Sequence, residues 1–388
     1  MSEQVVVVGS GYAGAGAVKS LESSLDGEAD ITWVSDIDHH LVLHETHRCI
    51  KDPSIEEKVT ISIEDIKSPS TDFVQATVEH IDTDDRRVDF ANGRNIEYDY
   101  LLVGLGTQTA FFGIDGLKEH AHTMKSLDDA LGIHDEVATA ANEATQTDPA
   151  RIVVGGAGLS GIQVAGEIAD YRDEHSAPID IHLVEGLDEI FPGNDAGVQS
   201  ALRSLLEERN VNIMCGEFIG EVDEDTVYIG EDVELSYDVL IWTGGITGHD
   251  AVRDASVDKD DRNYRLKSGR TFQTSKERVF AIGDAALIDQ PGEEPAPPTA
   301  QAAWQAAEVV GENIARAMRG KPLKKWKYDN KGTVISVGED AVAHNVSVVP
   351  FVDTFGGLPA RTLKKAIAAR WISDITGYKR ALDAWPDM

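Results

Sequence analysis

Two glycine-rich runs stand about 145 residues apart, each spaced to hold a pyrophosphate. The first is Gly9-Ser10-Gly11-Tyr12-Ala13-Gly14, at the exit of the apolar run Val5 to Val8. The second is Gly156-Ala157-Gly158-Leu159-Ser160-Gly161, directly after Ile152-Val153-Val154-Gly155. In the pattern G-x-G-x-x-G one glycine permits a tight turn and the next lets backbone approach the phosphates. The third lets helix pack on strand, and the helix N-terminus faces the anion. A single copy is weak evidence, because ordinary turns also carry it. Two copies, each between a buried-strand pattern and a helical pattern, predict two bound dinucleotides and electron transfer between them.

Each dinucleotide also needs a group that accepts hydrogen bonds from ribose at the end of the following strand. After the first run, strand Ile31-Thr32-Trp33-Val34 ends at Ser35 and Asp36. Asp36, 22 residues past Gly14, is the first choice, and the Ser35 hydroxyl is a rival the residues do not eliminate. After the second run, Glu185 closes a strand 24 residues past Gly161. A carboxylate there accepts from the 2′- and 3′-hydroxyls and repels a 2′-phosphate, so NAD is expected rather than NADP. A further strand, Val279 to Ile282, ends at Gly283-Asp284.

The elements that must position these groups read as an α/β chain with two Rossmann-like units, one inserted in the other. The boundaries are 1–115 plus 268–325 for the outer unit and 150–257 for the inner one. Residues 326–388 form a C-terminal segment. With 388 residues, two or three domains are expected. Asp+Glu 68 against Lys+Arg 35 gives a net charge of −33, which excludes general nucleic-acid binding for want of a basic footprint. Such an acidic excess resembles proteins of salt-loving organisms, where screening tames the repulsion. The charge is uneven: residues 315–388 hold 13 Lys/Arg and 7 Asp/Glu, a net +6, leaving −39 for the rest. That asymmetry suggests an anionic partner for the C-terminal part. Two cysteines, Cys49 and Cys215, fit a reducing compartment and no disulfide scaffold. No secretion signal and no membrane-spanning run are read, and no metal centre is predicted.

Gly9 to Gly14, Gly104-Leu105-Gly106-Thr107 and Gly283-Asp284 together resemble the three-part FAD signature of two-dinucleotide flavoproteins. The run Tyr98 to Ile114 and the run Pro297-Pro298-Thr299-Ala300-Gln301-Ala302-Ala303-Trp304-Gln305 are similar, more narrowly, to type II NADH dehydrogenases, the NADH:quinone oxidoreductases. The resemblance covers nearly the whole chain. It implies that Gly9, Gly11, Ala13, Gly14, Val78, Gly106, Gly283 and Asp284, with Ser35 or Asp36, contact FAD. Gly156, Gly158, Gly161, Glu185 and Gly245 would contact NAD. Gln301 and Gln305, i and i+4 on one helical face, would point into a shared cavity beside flavin and quinone. The implied reaction passes a hydride from NADH to FAD and two electrons on to a membrane quinone, without proton pumping. The implied location is peripheral, on the cytoplasmic face of the membrane. A homodimer stays open.

The chain departs from the family where members usually carry a glutamate two residues after the last glycine of the NAD run, since Gln163 stands there. An amide relays no proton, so Glu167, one turn on, is the substitute acid. His39, His40, His44, Glu45, His47 and Arg48 replace the family's usual apolar segment and could supply protons or simply pack. Three other readings compete. One is a soluble single-cysteine thiol/disulfide reductase using Cys49; another is a sulfide:quinone reductase, for which Cys215 looks like core strand. The third is a non-enzymatic FAD-binding redox sensor. In the tail, Leu363, Ile367, Trp371, Ile375, Tyr378 and Leu382 form one stripe. Arg361, Lys364, Lys365, Lys379 and Arg380 are expected mostly outside it, facing an anionic membrane.

Overall fold

The computed structural model describes residues 2–349 and 351–385, so the last three residues of the C-terminal segment lie outside the described part. Two parallel sheets carry the architecture. The first takes strands in the spatial order Val279–Ala281, Tyr100–Val103, Glu3–Val8, Ala29–Ser35 and Thr71–Gln75. The second takes Val211–Cys215, Ile179–Glu185, Ala150–Gly155 and Val239–Trp242. The first sheet thus draws its strands from both sides of the second in sequence. Val5 to Val8 are fully buried, which is why they show no in-out alternation: helices cover both faces of such a sheet.

Helix Tyr12–Leu25 follows the first strand and packs along helix Ala300–Met318, nearly 300 residues later. A methyl at Gly16 would stand 2.8 Å from Ala307 Cβ, so small residues bring the two axes close. Each parallel sheet has a three-stranded antiparallel companion, Val78–Asp82 to Asn95–Glu97 and Ile219–Val222 to Val233–Ser236. A short antiparallel ladder, Thr107–Thr109 against Ile246–Gly248, ties the two units together.

The C-terminal segment forms a three-stranded sheet of Thr333–Val337, Asp340–His344 and Thr354–Gly356, then helices Leu358–Thr376 and Tyr378–Ala384. The expected single stripe is corrected here. The buried face of the longer helix is Ala360, Lys364, Ala368, Trp371, Ile372 and Ile375. Trp371 and Ile375 are core, whereas Ile367, Tyr378 and Leu382 are exposed. Two causes act: Gly377 ends the helix and resets the rotation of the shorter one, and Lys364 goes inward to meet Glu45 at 3.5 Å. Arg361 and Arg380 are paired with Glu339 and Asp65, so neither is an unpartnered surface cation.

Candidate functional site

The two glycine turns share one construction. A Cβ at Gly14 would lie 1.8 Å from the carbonyl oxygen of Gly9, and one at Gly161 would lie 1.8 Å from that of Gly156. Any side chain there would push helix from strand. Gly9 and Gly156 adopt φ of +103° and +91°, and their N–H groups donate to Val34 and Val184 oxygens at 2.8 Å. Gly11 and Gly158 cap helices Tyr12–Leu25 and Leu159–His175 without a side-chain bond, and nothing lies within 4 Å of where their Cβ would be. Each helix therefore offers uncapped N–H groups and the positive end of its dipole to open space, which fits a pyrophosphate.

In the first cradle the three segments of the FAD-like signature meet at Ala13. A Cβ on Gly104 would be 3.3 Å from the Ala13 methyl, and one on Gly283 would be 2.9 Å from it. Gly106, at φ +69°, faces open room. Val78 is buried at the start of its strand. The Ser35 hydroxyl donates to Ser10 Oγ at 2.9 Å and is itself buried, while Asp36 is exposed one residue beyond. Burial raises the Asp284 carboxyl's affinity for its proton, against the pull of Lys125 and Arg265.

In the second cradle Glu185 is buried, and its carboxylate accepts from Ala157 N at 2.8 Å and Leu187 N at 3.1 Å. Those bonds fix the acid beside the glycine turn. Gly245, at φ +74°, lies under the exposed Phe112 ring, which would stand 2.2 Å from an added methyl.

Between the cradles lies a buried polar junction. The Tyr12 hydroxyl and His44 Nδ1 are hydrogen-bonded, and His44 Nε2 faces Glu45 at 3.6 Å. Glu45 pairs with Lys364, and Lys364 donates to Ser336 Oγ at 2.6 Å and to His47 Nε2 at 3.2 Å. His47 Nε2 also receives the Gln163 amide at 3.3 Å and lies 3.8 Å from Glu167. Burial pushes Glu167 up to about 8, with Lys364 and Arg48 pulling the other way. Burial also holds His47 well below its usual range, reinforced by Lys364. At neutral pH the His47–Glu167 contact therefore joins two neutral groups and is no ion pair. Burial alone would raise Glu45, but Lys364, His44 and Arg48 outweigh it and keep it ionised. His40 is separate: its Nδ1 meets Ser10 O at 2.7 Å, and its Nε2 accepts from Trp371. Burial lowers it to about 4.

His47, His44, Glu45 and Glu167 thus come together, whereas His39 stays at the rim against Asp38. Sequence reasoning missed Lys364, Ser336 and Tyr12 as members of the junction. The one available signal was Lys364's place at four-residue spacing between Ala360 and Ala368. Gln301 and Gln305 share a helix face, but their amides are engaged by backbone. Gln301 bonds Gly332 O, Lys331 N and the Tyr328 hydroxyl, and Gln305 bonds both N and O of Asp329. Irregular backbone needs such partners, so the two side chains clamp residues 328–332 instead of standing free in a shared cavity. The thiol reading fails at Cys49, which is fully buried and pushed by burial up to about 12, leaving no thiolate to attack a disulfide.

Residues 3–307 match the pyridine nucleotide-disulphide oxidoreductase family, and the chain belongs to it. Within that class it is similar to the type II NADH:quinone oxidoreductase of Staphylococcus aureus, at 29% identity over 97% of this chain and 96% of the relative. Its fold is shared with NDH2 from Plasmodium falciparum, solved in complex with NADH, at a TM-score of 0.84 and 17% identity, covering 100% of this chain and 98% of that one. It is shared also with the sulfide:quinone oxidoreductase of Aquifex aeolicus, at 0.80 and 20% identity over 97% and 92%.

Proposed function

We propose that this chain is a flavin-dependent NADH:quinone oxidoreductase, with FAD in the first cradle and NADH in the second. One observation carries the reading: two uncapped glycine cradles, joined by the Thr107–Thr109 ladder, border a buried acid that keeps its proton at neutral pH. When bound, FAD supplies a carrier that takes two electrons as a hydride from nicotinamide and returns them to a quinone.

The chain's residues orient and insulate this exchange. Helices Tyr12–Leu25 and Leu159–His175 hold the two pyrophosphates, and Glu185 selects a free 2′-hydroxyl. Gln301 and Gln305 fix the 328–332 segment that frames the acceptor side. Glu167 stores a proton on its carboxyl, and a quinone that gains two electrons also needs protons. Lys364, paired with Glu45, steadies His47 and Ser336 beside it.

The exposed Val348, Phe351, Leu358, Tyr378 and Leu382, with Lys365 and Lys379 nearby in sequence, are the side chains we assign to contact with a membrane where the quinone resides. No described helix is long and apolar enough to cross one. Anaerobic titration tests the reading. NADH should bleach the flavin stoichiometrically, and a quinone analogue should restore its colour. A protein that bleaches but is not reoxidised by quinone has another acceptor, and one that never takes up flavin overturns the proposal.

A further inference from the structure

Lys125 belongs to none of the recognised motifs, yet the fold places it at the seam between the two units. Three residues before it, His122 bridges Ile241 at the edge of the second sheet. Its backbone is held firmly. Lys125 N, Ser126 N and Thr123 Oγ1 all donate to Asp129 Oδ2, at 2.6, 3.1 and 3.1 Å. Ser126 in turn caps helix Leu127–Glu143 through Asp129, a reciprocal capping box.

The ammonium reaches the first unit, where it donates to Thr107 Oγ1 at 3.4 Å. Thr107 opens the strand that pairs with Gly248 of the second unit. Among the described residues no carboxylate lies within ion-pair distance of Lys125. Burial weakens the ammonium's hold on its proton, and Asp284, at the tip of the first sheet, is the charge that most opposes this. Asp284 sits where Ala13, Gly104 and Gly283 converge. The other cation acting on it, Arg265, already donates to the backbone oxygens of Asp284 and Ala286. A half-buried cation that donates to a neutral hydroxyl, with no carboxylate within ion-pair distance, is poorly compensated until something anionic joins it.

We propose that Lys125 is a cofactor-binding residue that, opposite Asp284, balances the negative charge the flavin gains on reduction. The inference rests on the first cradle being the FAD site. The bookkeeping is simple: a hydride leaves NADH as two electrons and one proton, so NAD+ forms and the flavin gains one negative charge. Lys125 stabilises that charge, and therefore the reduced form over the oxidised one.

The test uses the purified full-length holoprotein and its Lys125→Met, Lys125→Gln and Lys125→Arg variants. Midpoint potentials are read by equilibration with a reference dye, and FAD affinity by recovery of flavin fluorescence on release. Met and Gln should cost about tenfold in preference for the reduced form, a fall of about 30 mV for a two-electron couple. Arg should stay within about threefold of the parent. Loss of FAD by folded Met and Gln variants, with retention by Arg, also supports the contact. Parent-like potential and FAD affinity in the Met and Gln variants overturn it. If the parent protein itself takes up no flavin, the assignment of the first cradle has failed, and that outcome is distinct.

Discussion

Ser35 in the first unit and Glu185 in the second stand at one place, the last residue of the second parallel strand. Around them the geometry repeats: the same glycine-to-valine hydrogen bond and the same 1.8 Å approach of third glycine to first. What fills that place differs. Ser35 makes a neutral hydroxyl pair with Ser10, and Glu185 brings a buried carboxylate tied to Ala157 N. One glycine turn is thus finished by a neutral hydroxyl and the other by a buried carboxylate, and the proposed choice of ribose rests on that difference. The comparison also suggests that position alone favours Ser35 over the exposed Asp36 as the first cradle's counterpart of Glu185.

The harshest way to break the parallel is to close each cradle in turn. Gly14→Val should give protein that retains no flavin. Gly161→Val should stay yellow while its KM for NADH rises on the order of a hundredfold, about 2.7 kcal/mol of lost binding. Equal flavin loss in both would show that the cradles do not divide the cofactors. A gentler exchange, Glu185→Ser, makes the second cradle resemble the first. Its preference for NADH over NADPH, read as a ratio of kcat/KM values, should fall by about 10- to 100-fold.

The junction yields a smaller, pH-dependent effect. Glu167's folded affinity for its proton is raised to about 8 from an ordinary 4.5, chiefly by burial. The folded state therefore binds the extra proton between these values, and stability falls as pH rises through that window. Glu167→Gln removes this loss, so urea midpoints of variant and parent should diverge in the variant's favour from pH 5 to 8. A constant difference would mean the carboxyl titrates normally. Smallest of all, Cys49→Ala should change NADH:quinone turnover by less than about twofold, whereas loss of activity would reinstate thiol chemistry.

The cradles were legible because each is local: a strand, a turn and a helix within some thirty residues, with strand-end residues a fixed distance on. Strand positions read from pattern also lie close, with Ala29–Ser35 found where Ile31 to Val34 is read. The junction was not legible, because its members are far apart in sequence. Lys364 and His47 are separated by 317 positions and meet only when the C-terminal helix docks. A lysine inside a helix reads as surface unless its buried partner is known, and this, with the break at Gly377, is why the expected tail stripe splits between core and surface. The histidine run was ambiguous for the same reason: His39 and His47 look alike in sequence, and only burial separates rim from interior.

Lys364 has a practical meaning for anyone who would detach the tail. The helix that turns Ile367 outward also delivers the cation that neutralises Glu45. Cutting the chain after Gly357 would take one of the cations paired with the buried Glu45, leaving Arg48 at 3.5 Å, and would strip Trp371 from the rings of Tyr12 and Trp304. Loss of the proposed lipid attachment and loss of folding would therefore be confounded in such a deletion. Swapping in a foreign anchor carries the same hazard unless the graft keeps a lysine at that spot. Keystone and proposed landing gear are here a single part, and testing the second without breaking the first calls for outward-facing point changes, such as Tyr378→Ser with Leu382→Ser.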